Sequence, residues 1–119
     1  MSLELTKNLP SKPVFNNAVS GTAIAAKAGP GFLFKVLATQ PAANTATYIQ
    51  WFNAAAADVI PGTTAPVWVQ FVPAGASGFI DDFNNNAAFF STAISFLAAT
   101  TATGAVAPAN AIQVSYLIA

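Results

Sequence analysis

Hydrophobic side chains recur at every second position in several short stretches of this chain, which is the period of a β-strand whose two faces meet different surroundings. The two densest stretches are residues 47–52 and 67–72, both rich in aromatic and β-branched side chains. An alanine-rich loop with proline and glycine joins them. The simplest prediction is a paired hairpin, in which Ile49 and Trp51 lie on the opposite face of the first strand from Tyr48.

The same pattern predicts about six further extended segments, each bounded by glycine, proline or asparagine. They are residues 14–19, 22–27, 32–38, 79–83, 87–99 and 112–118. In the third of these, strict alternation predicts Phe32, Phe34 and Val36 on one face. About eight short strands with no long helical period predict an all-β fold, an antiparallel β-sandwich of the jelly-roll type.

Residues 87–109 carry no charge and are long enough to cross a bilayer. They also contain several serine and threonine residues, a glycine and a proline, and their bulky apolar residues alternate. The alternation of Phe90, Ile94 and Phe96 favours strand over helix. We therefore expect no membrane span in this chain.

Residues 1–13 differ from the rest of the chain because they combine two prolines with two lysines and show no apolar period. Proline lacks the backbone donor and biases its neighbours toward extended forms. We expect an extended N-terminal arm at 1–13, the alternative being a frayed end. A chain of this length supports one hydrophobic core, so residues 14–119 are expected to form a single β-sandwich domain.

The scarcity of charge is the most informative feature of the composition. Charged residues make up 7% of the 119 residues, hydrophobic residues make up 55%, and the formal net charge is zero. A typical soluble domain carries roughly 25% charged residues. We expect other copies of the chain, or another protein, to cover apolar surface. With four basic residues and no arginine, nucleic acid is not an expected partner.

The residue types needed for common catalytic and metal sites are missing from the sequence. It contains neither histidine nor cysteine, which excludes a serine-histidine pair, a thiolate nucleophile and a nitrogen and sulfur zinc site. We expect neither an enzyme nor a cofactor. Asp81 and Asp82 form the acidic cluster and, with the asparagines at 84–86, have the oxygen ligands that calcium prefers. A solvated strand end with an asparagine turn is the favoured interpretation.

Both tryptophans fall in the predicted hairpin. Packing inside a core or an interface is the favoured role for Trp51 and Trp68, and an aromatic platform for sugar is the alternative. Trp68 shares its predicted face with Gln70. We select Trp68, Gln70 and Tyr48 as candidate interface residues.

The order of several short segments resembles that of a known family. These segments are WFNAAAA at 51–57, PGTTAPV at 61–67, VPAG at 72–75, FSTAIS at 90–95 and the last strand at 112–118. In order and spacing they resemble small virion proteins of tailed bacteriophages, the alanine-rich β-sandwich proteins that include capsid decoration, or cement, proteins. The resemblance covers residues 21–119, and the chain departs from it at Asp81 and Asp82 and at the three asparagines of residues 84–86, where such proteins commonly continue through glycine.

The resemblance implies a homotrimer on the outer capsid surface of a virion, where it binds the major capsid protein and stabilises the shell. Contacts would come from the arm at 1–13 or from an apolar rim. The alternative is a receptor- or carbohydrate-binding module on a tail or fibre, with Trp68 and Tyr48 as stacking surfaces. Either role acts through surfaces, so the resemblance transfers no functional residues.

Overall fold

The computed structural model of the protein describes residues 12–81 and 86–119. Within these residues, nine strands form two antiparallel sheets that pack face to face, and the predicted all-β sandwich is confirmed. The strands are β1 (Lys12–Val19), β2 (Ile24–Lys27), β3 (Gly31–Thr39), β4 (Thr47–Phe52), β5 (Trp68–Val72), β6 (Phe79–Asp81), β7 (Ala88–Phe90), β8 (Ile94–Ala99) and β9 (Ile112–Ile118). A single 3-10 turn, Ala56–Asp58, lies between β4 and β5.

The two sheets draw their strands from all along the described chain. Sheet A has the order β1-β9-β3-β6, and β7 also pairs with β3. Sheet B has the order β2-β8-β4-β5. Apart from the pairs β4–β5 and β6–β7, successive strands lie in different sheets, so the chain crosses repeatedly between the layers.

The predicted hairpin of residues 47–52 and 67–72 is confirmed. Thr47 lies opposite Val72, and Trp51 lies opposite Trp68. The backbone N–H of Val67 donates to the carbonyl oxygen of Trp51 at 2.8 Å, so backbone pairing extends one residue beyond the start of β5. One face of the hairpin packs into the main core, where Trp68 is half-buried, and a face turned inward specifies the register strongly.

The segment predicted as one strand at 87–99 forms two strands in different sheets, β7 and β8. A corner at residues 91–93 separates them, and Asn53 holds it through three hydrogen bonds. Its Oδ1 accepts from the backbone N–H groups of Thr92 at 2.7 Å and Ala93 at 3.4 Å, and its Nδ2 donates to Ser91 Oγ at 2.9 Å. No helix in the described residues is long and apolar enough to span a membrane.

Strict alternation along β3 is wrong. The pairing of β3 with β9 shifts register between Leu33 and Lys35, as at a β-bulge. Leu33 and Val36 therefore both face the core, while Phe32 and Phe34 lie on the outer face of the sheet. An extra residue in one strand moves all the following side chains of that strand to the opposite face. The alternation of apolar residues in the sequence does not show where such a bulge lies.

The main core lies between the sheets and is centred on Trp51, which is fully buried. Its ring stacks on Phe96 with 4.6 Å between centroids, and Tyr116 meets it edge-on at 5.8 Å. Such ring pairs add to the free energy of burial. Burial also raises the pKa of Tyr116 above its ordinary value, because it disfavours the phenolate.

A second, smaller core lies on the outer face of sheet B. It contains four buried residues, Phe52, Val59, Leu97 and Ala99. Val59 and the partly buried Ala54 come from the loop at residues 53–67, and Ala23 also packs against this core. Gln50 binds the loop at residues 100–111 because its Nε2 donates to the carbonyl oxygens of Thr101 at 3.1 Å and Gly104 at 3.0 Å.

The predicted arm at residues 1–13 lies outside the described residues except for its last two positions. Lys12 and Pro13 belong to β1, opposite Ile118 and Leu117 of β9. Strand β1 of the sandwich therefore includes Lys12 and Pro13, although the sequence analysis placed the start of the domain at residue 14. The arm itself stays a prediction.

Candidate interaction surface

Sheet A presents an apolar outer face. Three large side chains on it are more than half exposed: Phe15 at 61%, Ile80 at 54% and Phe89 at 62%. Four half-buried side chains complete it: Phe32, Phe34, Leu37 and Leu117. We call these seven residues the sheet A face. A folded chain seldom leaves so many large apolar side chains together in water unless they serve binding.

Strand register brings these residues together from distant parts of the sequence. Phe15 on β1 lies opposite Ser115 on β9, and Ser115 lies opposite Leu37 on β3. Leu37 in turn lies opposite Ile80 on β6. At about 4.8 Å between neighbouring strands, this row of side chains is roughly 14 Å wide.

An aromatic cluster occupies the other end of β3. Phe32 lies opposite Phe89 on β7, and the two ring centroids are 5.1 Å apart. Phe34 stacks near Phe32, with 6.2 Å between centroids. These rings contact one another on the outside of the sheet, where a monomer gains less from burying them than it would in the core.

A shallow groove of about 370 Å³ runs along β1, β9 and β3 within this face. Phe15, Leu37 and Leu117 line it together with Pro13 and the stem of Lys35. Lys35 is the charged residue of the groove, and it is exposed. A long lysine side chain lays its methylene stem on apolar surface and keeps its ammonium group in water, so Lys35 is compatible with an apolar contact.

The area of this face is close to that of a functional patch. A whole aromatic side chain has about 200 Å² of surface, so Phe15 and Phe89 at 61% and 62% exposure leave roughly 120 Å² each in contact with water. With Ile80 and the half-buried residues the total is roughly 500 Å². The largest apolar patch on a typical monomer is about 300 to 600 Å² and is often functional.

The three predicted interface residues do not form one surface. Tyr48 lies half-buried on the outer face of sheet B, where its ring meets Phe71 edge-on with 5.3 Å between centroids. Trp68 lies on the inner face and packs half-buried against the main core, 6.4 Å from Trp51 between ring centroids. Gln70 is 2% exposed, so it lies in the interior instead of on the predicted surface.

The reason for this placement is the register of the hairpin. Gln70 lies opposite Ile49, and Trp68 lies opposite Trp51, so both share the face that packs on sheet A. Neither polar atom of the Gln70 side chain has a hydrogen-bond partner among the described residues. A glutamine in a strand suggests a solvated face, and here that inference failed because β5 carries it inward.

The residues of the calcium alternative, which the sequence analysis did not favour, lie only partly within the described residues. Asp81 ends β6, opposite Val36. Asp82, Asn84 and Asn85 lie outside the described residues. Within the described part of the chain, no group of three or more acidic side chains lies close enough to hold a metal ion. The calcium site therefore stays an alternative.

The sequence did contain a signal for the sheet A face. Residues 32–37 read Phe-Leu-Phe-Lys-Val-Leu, so β3 is apolar on both faces. Strands of this kind are buried on both sides in folded proteins. In β3 the inner face packs on sheet B, and no layer of the described residues covers the outer face.

Comparisons with protein-family models, with curated proteins and with solved structures gave no match for this chain.

Proposed function

We propose that this chain is a structural protein of a bacteriophage virion, a capsid decoration or cement protein that binds the outer capsid surface and bridges major capsid subunits. The identity comes from the sequence resemblance. The structural observation that supports a surface-acting role is the sheet A face, a row of uncovered apolar side chains on a chain with 7% charged residues.

The chemistry of the chain is consistent with a role in binding. Its sequence has no imidazole and no thiol, the groups that most often act as bases and nucleophiles near neutral pH. A stable two-sheet scaffold with an apolar face needs neither group to hold two proteins together. We therefore propose that the chain is not an enzyme and needs no cofactor.

Two finer features belong to the same proposal. The strand orders β1-β9-β3-β6 and β2-β8-β4-β5, in which the chain alternates between sheets, support a jelly-roll topology. A closed homotrimer is the assembly that the resemblance implies, and closed symmetry would remove apolar surface from water. The residues before β1 would then form the arm that reaches a neighbouring subunit.

Electron microscopy of virions labelled with gold-coupled antibody against this chain tests the proposal. We expect label over the head at many positions, because a decoration protein is present in many copies on the shell. Label confined to the tail would contradict the decoration role and support the alternative below. Virions without label, produced by cells that contain the chain, would contradict a virion role altogether.

The alternative, a carbohydrate- or receptor-binding module on a tail or fibre, has one observation in its favour. Tyr48 and Phe71 form an aromatic pair on the outer face of sheet B, and Phe71 is 47% exposed. Sugars stack on aromatic faces of this kind. A glycan array that shows binding by the natural chain and loss of binding by Tyr48→Ala would favour this role over decoration.

A further inference from the structure

We propose that a second copy of this chain covers the sheet A face, with the two sheets packed face to face across a two-fold axis. This contact does not depend on the virion role, and it differs from the three-fold contact that the resemblance implies. The proposal has three parts: the face lacks a cover within the described chain, its area matches a small specific interface, and its shape and charge suit a copy of itself.

The first part rests on exposure. Phe15, Ile80 and Phe89 come from three different strands and are each more than half exposed. None of the described residues forms a layer over them, whereas Phe52 on the outside of sheet B is fully buried. Among the described residues, the chain thus buries Phe52 on the outside of sheet B and does not cover these three side chains on the outside of sheet A.

The second part is the area. The face offers roughly 500 Å² per copy, so two copies would remove roughly 1,000 Å² from water. A specific interface starts at about that size, so this contact is small beside the usual value of about 1,600 Å². Thr39 and Gln113 lie opposite each other at one end of the face and can supply a polar rim.

The third part is shape and charge. Two sheets with the same handed twist pack in an aligned way at a separation of about 10 Å, so a sheet face is complementary to its own copy. The formal net charge of zero adds no long-range repulsion between copies. Lys35 adds one positive charge per copy near the groove, and its length lets the ammonium group reach the rim.

A two-fold contact predicts the number of chains in the assembly and therefore its mass. The same patch is used by both copies, so the assembly contains an even number of chains. A dimer fits, and so does a pair of trimers joined through their sheet A faces. Disrupting the contact halves the mass in either case.

Sedimentation equilibrium on the purified full chain tests the proposal with two matched pairs of variants. Phe89→Lys and Phe15→Lys place a charge on the sheet A face at 62% and 61% exposure. Ile60→Lys and Val67→Lys place the same charge elsewhere at 60% and 61% exposure. All four sites are exposed, and circular dichroism and thermal unfolding confirm that each variant is folded.

We expect the natural chain to have a mass that is an even multiple of 12.1 kDa, and the two sheet A variants to have half that mass. The Ile60→Lys and Val67→Lys variants should keep the natural mass. A fifth variant, Lys35→Met, removes the charge at the groove. It should lower the dissociation constant for the contact between copies by about tenfold.

Three results would overturn the proposal. One is a natural chain that stays monomeric at about 100 μM, and another is a mass that is an odd multiple of 12.1 kDa above one. The third is an even-numbered assembly that the control variants dissociate and the sheet A variants do not. If antibody still labels the capsid, each of these three results contradicts the two-fold contact and leaves the decoration role standing. If the assembly is even-numbered but virions carry no label, the decoration role is contradicted and the two-fold contact is not.

Discussion

The outer faces of the two sheets carry similar apolar side chains, but these side chains lie in different surroundings. On sheet B, Phe52 and Leu97 are fully buried in a small core that includes Val59 of the loop at 53–67. On sheet A, Phe15 and Phe89 are 61% and 62% exposed. The chain thus buries part of the outer face of sheet B, where Phe71 is still 47% exposed, and leaves large side chains of sheet A in contact with water.

This difference shows which part of the molecule serves stability and which part is available for contact. The outer core of sheet B is part of the folding unit, so its side chains contribute to the free energy of unfolding of a single chain. The exposed side chains of the sheet A face, Phe15, Ile80 and Phe89, contribute little to that free energy, because they stay largely in contact with water when the chain folds. Substitutions at matched residues on the two faces should therefore have different effects. On sheet B they should lower the free energy of unfolding, and on sheet A they should weaken association between copies.

The largest expected effect comes from truncating matched phenylalanines. Phe52→Ala removes a fully buried ring from the outer core of sheet B and should lower the free energy of unfolding by about 3–5 kcal/mol. Phe89→Ala removes an exposed ring from the sheet A face and should change it by less than about 0.5 kcal/mol in the monomer. Urea unfolding at low protein concentration, followed by tryptophan fluorescence, measures both. Equal losses would show that the two faces are equally part of the fold.

A smaller effect is expected from releasing the loop at residues 100–111. Gln50→Ala removes the donors to the carbonyl oxygens of Thr101 and Gly104 and should cost about 1–3 kcal/mol. Hydrogen exchange should become faster in residues 100–106 and remain unchanged in β1 and β9. Faster exchange throughout both sheets would contradict the conclusion that the two hydrogen bonds of Gln50 hold only the loop at 100–111.

The smallest expected effect concerns the inner face of sheet B. Gln70 is buried with both side-chain polar atoms unpaired among the described residues, so Gln70→Met should raise the free energy of unfolding by about 1 kcal/mol. Association should not change, because the residue lies between the sheets. Thermal unfolding and sedimentation of the same variant test both statements. A weaker assembly would mean that Gln70 belongs to a contact surface, as the sequence suggested.

The strands and the central hairpin could be predicted from the sequence because their apolar period is strong. The alternation around Ile49 and Trp51 was enough to pair β4 with β5. Two features could not be predicted: the bulge of β3 after Leu33 and the corner at 91–93 that Asn53 holds. Both depend on residues far apart in sequence, and neither leaves a periodic mark.

The position of the apolar surface could not be predicted because β3 and β4 look alike in sequence. Each carries bulky apolar residues on both faces, such as Val36 and Leu37 on β3 or Trp51 and Phe52 on β4. The loop at 53–67 helps to bury Phe52 on the outer face of β4, whereas the outer face of β3 has no such cover among the described residues. Only the path of the loops distinguishes the two strands. That path depends on the topology of the whole domain and not on the apolar pattern within either strand.

Hydroxyl-radical footprinting across a range of protein concentrations tests the central claim most directly. We expect Phe15 and Phe89 to be modified readily in dilute solution and to become protected as the concentration rises, while Ile60 and Val67 keep their reactivity throughout. Protection of Phe15 and Phe89 that is the same at every concentration, in samples that sedimentation shows to be monomeric, would mean that the chain covers its own sheet A face. Full reactivity at every concentration would mean that no second copy binds there, and either result would contradict the account.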